Sequence, residues 1–151
     1  MSKIAVITGG AGGIGQAVAQ RFGQETQTVV ILDVNEQAGT QVVAEFGKRG
    51  IHLAFARADV SQETEVHSAF EKIDAEHGRI DVLVNVAAGS LHRHSLDEFP
   101  LAHWRAVIDA NLTSTFLCCR AVTPLMRKRK AGAIVNISSL SAVKAARAEA
   151  A

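Results

Sequence analysis

Residues 7–18, ITGGAGGIGQAV, are the first whose types and spacing can do chemistry. Gly10, Gly12 and Gly15 fit G-x-G-x-x-G, and Gly9, Gly13 and Gly15 fit a wider spacing of the same kind. Glycine there permits a tight turn and lets backbone approach a pyrophosphate closely. A helix opening directly afterwards offers free N–H groups and a favourable dipole to phosphate charge. Gln16 and Ala17 follow Gly15 where a Walker loop needs Lys and Ser or Thr. Asp33 stands 18 residues beyond Gly15. A carboxylate at that separation can accept both hydroxyls of an adenosine ribose and would repel a 2′-phosphate. It can also cap a helix that begins near Asn35. Taken together, the glycine turn and the acid point to a dinucleotide site.

Other polar residues are less decisive alone. Ser138 and Ser139 follow an apolar run, where serine commonly serves as a turn residue. Asn111 lies within a helical pattern and could satisfy backbone or water there. His92, Arg93 and His94 form an H-x-H that could attract a metal, but no Cys or carboxylate signature accompanies it, so no metal site is assigned. Arg127, Lys128, Arg129 and Lys130 could suggest nucleic acid. Their place at a helix C-terminus, just before Gly132, gives the simpler account of charge opposing the macrodipole. Cys118 and Cys119 are adjacent and read as a reduced, packed pair.

The elements that must position these groups alternate between apolar runs and helical patterns, as in βα units around a parallel sheet. The strands are expected at 3–8, 28–33, 51–57, 80–85 and 133–138, nearly continuous in apolar residues as if covered on both faces. Ile14, Ala17, Val18 and Phe22 recur at helical steps, as do Val66, Ala69, Phe70 and Ile73. A helix over 35–48 carries Ala38, Val42 and Phe46, with Gly39 as a weak spot. A long helix over 101–129 is expected to present Trp104, Val107, Ile108, Leu112, Phe116 and Cys119 on its apolar face. Pro124 is expected to bend or shorten its far end.

The 151 residues suit one domain, 48% hydrophobic and 21% charged. A formal net charge of +1 gives no overall pull toward nucleic acid or membrane. The opening KIAVITGG is too short to span a bilayer and lacks the features of a signal peptide. The cytoplasm is the expected location.

With these residues in hand, the chain resembles the short-chain dehydrogenase/reductase family over its whole length. TGGAGGIG is similar to that family's Thr-Gly-x-x-x-Gly-x-Gly turn, which implies cofactor binding by Gly9, Gly12, Gly13, Ile14 and Gly15. ADV at 58–60 resembles the segment that meets the adenine, implying Asp59 and Val60. LVNVAAG at 83–89 is similar to the Asn-Asn-Ala-Gly stretch, implying Asn85 and Ala87, with Val86 in place of the second Asn and Ala88 in the usual Gly position. DANLTSTF at 109–116 places the family's catalytic Asn at Asn111. IVNISS at 134–139 places its catalytic serine at Ser139, ahead of Ser138.

The resemblance implies a Rossmann-like, doubly wound α/β fold with five parallel strands in the order 3-2-1-4-5, an NAD(P)-binding domain over 1–151. It also implies hydride exchange between nicotinamide and an alcohol or ketone, with NAD favoured over NADP by Asp33. A homo-oligomer is implied for the complete form, and self-association for this chain, without nucleic acid or membrane. The family's proton chemistry rests on a Tyr-x-x-x-Lys pair about a dozen residues beyond the serine. The chain contains no tyrosine, and Lys144 has Leu140 four residues before it. The expectation is therefore a C-terminally incomplete domain without turnover of its own. Two other functions compete: a nucleotide- or partner-binding module without catalysis, and an S-adenosylmethionine-dependent methyltransferase with a similar turn and acid.

Overall fold

The computed structural model describes residues 3–25, 28–89 and 95–140. Five parallel strands form one sheet in the order β3-β2-β1-β4-β5. They are β1 (Ile4–Thr8), β2 (Thr28–Asp33), β3 (Leu53–Arg57), β4 (Val82–Asn85) and β5 (Ala133–Asn136). The helices are α1 (Gly13–Gln24), α2 (Glu36–Lys48), α3 (Glu63–His77), α4 (Leu101–Ile108) and α5 (Ser114–Arg129). His92, Arg93 and His94 lie outside the described residues.

Side chains that alternate along each strand divide the core into two layers. Val6, Val30, Leu32 and Leu83 pack with Val66, Phe70 and Ile73 of α3 and Leu117 and Val122 of α5. Ala5, Ile7, Val29, Ile31 and Val84 pack on the opposite face with Ala19, Val42 and Phe46 of α1 and α2. Burial on both faces is why these strands read as continuous apolar runs. The two edge strands are less covered: β3 is only partly buried, and β5, paired among the described residues with β4 alone, is exposed along its length. The ladder does reach one residue past it, where the Ile137 N–H donates to the Asn85 carbonyl at 2.9 Å.

Several expectations are refined. β3, β4 and β5 are shorter than their apolar runs. Asp81, just before β4, bonds through its backbone to Ile4 and Ala133, and its carboxylate accepts the Ile4 N–H at 2.8 Å and the Arg79 Nε–H at 2.7 Å. Asn35, not Asp33, is the side-chain cap of α2, accepting from the Ala38 N–H at 3.0 Å. Gly39 is a site of close packing, not a weak spot: a Cβ there would lie 2.2 Å from the Phe55 ring.

The helix expected over 101–129 is α4 and α5 joined by a π-helical turn, Asp109–Thr113. Pro124 sits inside α5 without ending it. The expected apolar face is also corrected. Val107, Leu117, Cys118, Val122 and Met126 are buried, whereas Trp104, Leu112 and Phe116 are exposed. The sequence carries two apolar stripes, and only tertiary packing against α3 and the sheet selects one. Among the described residues, no helix is long and apolar enough to cross a membrane.

Candidate functional site

The carboxyl ends of β1, β2 and β4, with the segments that follow β2 and β3, open on a cleft of about 680 Å³. Gly9, Asp33, Asp59, Val60 and Ala87 are among its walls, together with Asp109 and Ala110 from the π-helical turn.

The floor is the turn between β1 and α1. Gly9 has φ +65°, a left-handed conformation that favours glycine, and a Cβ there would lie 2.8 Å from the Ala87 backbone. At Gly15 a Cβ would stand 2.2 Å from the Gly9 carbonyl oxygen, so glycine lets the helix close on the turn. Gly13 meets nothing within 4 Å of an added Cβ, and it lines the cleft with Gly12, Ile14 and Gly15. Gly12 caps α1 without a side chain, leaving first-turn N–H groups for an anion.

Asp33 connects this turn to the next one. Its Oδ2 accepts the Ala11 N–H at 3.0 Å, and its Oδ1 accepts the Asn35 N–H at 3.0 Å. Asp59 Oδ1 accepts the Ser61 N–H at 3.0 Å and its hydroxyl at 2.7 Å. These bonds hold both carboxylates at the rim. Thr8, buried at the end of β1, accepts the N–H groups of Val86 and Ala87 through its hydroxyl oxygen, each at 3.1 Å. That clasp was not singled out from sequence. The signal was available: a polar residue ending an otherwise apolar strand.

The remaining assigned residues lie toward β5. Asn85 is buried and is not among the cleft-lining residues; its Nδ2 donates to Asn136 Oδ1 at 2.8 Å and to Cys119 Sγ at 3.4 Å. Asn85 thereby ties β4 to β5 and α5. Asn111 lies in the π-helical turn and clamps the segment after β4. Its Nδ2 donates to the Gly89 carbonyl at 2.7 Å and the Val107 carbonyl at 2.8 Å, and its Oδ1 accepts the Gly89 N–H at 3.4 Å. Ser138 and Ser139 are exposed just beyond β5. Among the described residues, no group of three or more His, Cys, Asp or Glu is placed to hold a metal ion.

The short chain dehydrogenase family matches residues 3–151. The chain belongs to that family. An uncharacterized oxidoreductase of Thermotoga maritima is 40% identical over 140 residues, covering 93% of this chain and 54% of that protein. A 3beta-hydroxysteroid dehydrogenase of Mediterraneibacter gnavus is 40% identical over 142 residues, covering 94% and 51% respectively. Among solved structures, an NAD+-bound xylitol dehydrogenase superposes with a TM-score of 0.92 at 28% identity, over 97% of this chain and 56% of that one. A short-chain type dehydrogenase/reductase from Mycobacterium ulcerans gives 0.92 at 26%, over 99% and 56%. This short-chain dehydrogenase chain thus spans about half the length of the relatives it matches. Its family membership leaves the methyltransferase reading without support.

Proposed function

We propose that residues 1–151 form an NAD-binding domain that also carries part of the active site of an alcohol/ketone oxidoreductase. The observation that carries this reading is Asp33, a carboxylate fixed at the cleft rim beside the glycine turn. The residues present fit the dinucleotide: a glycine cradle that a Cβ would fill, an open helix N-terminus and a cleft of suitable size. When bound, the nicotinamide supplies or accepts a hydride.

The protein's share begins with binding. Gly13, Ile14 and Gly15 would present backbone N–H groups to the pyrophosphate, while Gly12, its own N–H bonded to the Gly9 carbonyl at 3.1 Å, would let the backbone approach it closely. Each Asp33 oxygen has a further lone pair for a ribose hydroxyl, while its charge disfavours a 2′-phosphate, which supports NAD over NADP. Asp59 and Val60 would meet the adenine, and Ala87 would wall the cleft behind the ribose. Asn85 would act from behind, through the strands it joins.

Ser139 would donate a hydrogen bond to the substrate oxygen as charge develops there. Asn111 is assigned a supporting role, holding the segment that ends at Gly89 and offering its Oδ1 to a water in the proton relay. The proton itself needs a general acid/base, help typically worth about 10² to 10⁴ in rate. The family's tyrosine, its phenolate favoured by a neighbouring Lys cation, is not among these 151 residues. A cytoplasmic homo-oligomer acting on a small molecule completes the reading.

Two measurements test it. Calorimetric titration should show NAD binding more tightly than NADP; equal or tighter NADP binding would sink the Asp33 assignment. The purified 151-residue chain should show no turnover. A continuation carrying Tyr-x-x-x-Lys should restore it, and Ser139→Ala should then depress it.

A further inference from the structure

Asp33 and Arg57 are register partners at the carboxyl ends of β2 and β3. Paired positions on neighbouring strands project to the same face, with strands about 5 Å apart. Yet the guanidinium is drawn away from Asp33. Arg57 Nη1 donates to Glu65 Oε2 at 2.8 Å, in the first turn of α3. The same oxygen accepts the Asp59 N–H at 2.9 Å. Glu65 stands three residues after Gln62, the N-cap of α3, where a carboxylate can reach back over a helix start. Here it reaches farther, to the backbone of the residue that walls the cleft.

One carboxylate oxygen therefore controls two things at once: the loop at Asp59 and the direction of a cation. The cation matters because, among the described residues, no Lys, Arg or His lines the cleft. Arg57 is about half exposed, and a guanidinium has five N–H donors in a fork suited to phosphate. Exposed ion pairs of this kind are weak and can be redirected.

We propose that Glu65 is a second determinant of cofactor selectivity, holding the Arg57 guanidinium away from the ribose edge where it would otherwise meet a 2′-phosphate. This rests on the reading that the cleft takes an adenine dinucleotide. Asp33 repels the 2′-phosphate and Glu65 withholds its natural partner. Replacing Asp33 alone removes only the first obstacle.

The test is a mutant cycle on the naturally expressed protein, with NAD and NADP affinities measured by calorimetry. Asp33→Asn alone should raise NADP affinity modestly. Adding Glu65→Gln, which keeps an acceptor for the Asp59 N–H, should raise it roughly tenfold further, the scale of one charge-assisted contact in a wet site. Adding Arg57→Gln to that pair should abolish the second gain. A gain below about twofold from Glu65→Gln, or one that survives Arg57→Gln, overturns the proposal. Should the double variant fail to fold, Glu65→Gln by itself should narrow the NAD preference about threefold; an unchanged ratio also overturns it. Failure of the parent protein to bind either dinucleotide would instead refute the cofactor reading, and this inference with it.

Discussion

Asp33 Oδ2 accepts the Ala11 N–H at 3.0 Å, so the acid at the end of β2 is bonded to the glycine-rich turn after β1. Its other oxygen holds the Asn35 N–H at 3.0 Å, at the entrance to α2. A residue expected to select the ribose is also bonded into the glycine-rich turn expected to take the phosphates. Removing it should damage both functions. Asp33→Ala is expected to weaken NAD binding about 10- to 100-fold, from lost ribose contacts and a loosened turn. Asp33→Asn keeps an acceptor oxygen and should lose less. Titration calorimetry reads the difference, and undiminished affinity in the alanine variant would contradict this assignment.

The glycines separate folding from binding. Gly15→Ala would push a Cβ to 2.2 Å from the Gly9 carbonyl oxygen, an overpacking expected to cost about 1–3 kcal/mol. Gly13→Ala meets open space, so stability should hold or rise by about 0.5–1 kcal/mol. Its methyl would project at the cleft wall, and NAD affinity should fall. Denaturant unfolding paired with titration distinguishes the two. Equal destabilisation by both substitutions would show that the turn is packed differently.

Asp81 sets an acid limit. The hydrogen bond from Arg79 holds its carboxyl below the ordinary value of 3.8, against burial, and the Ile4 N–H and the charges of Arg79 and Arg129 act in the same direction as that bond. A lowered folded pKa means stabilisation that is present above 3.8 and lost as pH falls below it toward the folded value. The stability gap between the parent and Asp81→Asn should therefore be widest above about pH 5 and close on acidification. Urea unfolding between about pH 3 and 7 would show this closure. A gap constant with pH would remove Asp81 from the account.

The two cysteines should differ sharply. Burial, with a smaller contribution from Cys119, pushes the Cys118 thiol up to about 12, leaving almost no thiolate near neutrality. Cys119 is only partly buried. Alkylation of native protein should consume one equivalent, mapped to Cys119 by peptide mass, and two in denaturant. Equal native labelling of both would mean that α5 opens readily.

Association should follow from the uncovered apolar surface. Ile134 and Val135 of β5 and Ile137 just beyond it are exposed, as are Trp104 of α4, Leu112 of the π-helical turn and Phe116 of α5. A strand edge unpaired among the described residues and a broad apolar patch favour contact with a second copy. Sedimentation velocity of the 151-residue chain is expected to show self-association that grows with concentration. A monodisperse monomer with strong amide protection across 133–138 would refute it.

Much of this protein was legible in the chain itself because its strongest signals are local. The glycine turn, Asp33 at the end of an apolar run and the alternation of runs with helical periods all depend on near neighbours. With the resemblance, they sufficed for the sheet order β3-β2-β1-β4-β5. Tertiary structure decided what local pattern leaves degenerate. Both stripes of the long helix are apolar, and only the position of α3 and the sheet buries Leu117 and Val122 while leaving Phe116 outside. Gly39 reads as a helix weakness until Phe55, on a different element, fills the space above it. Asn85 joins Asn136, 51 residues away, and Thr8 clasps Ala87 across 79. Arg57 turns from its strand neighbour to Glu65 because the start of α3 brings a carboxylate within reach. Propensity and periodicity are properties of adjacent residues, whereas a hydrogen bond's partner is settled only when distant segments share one space.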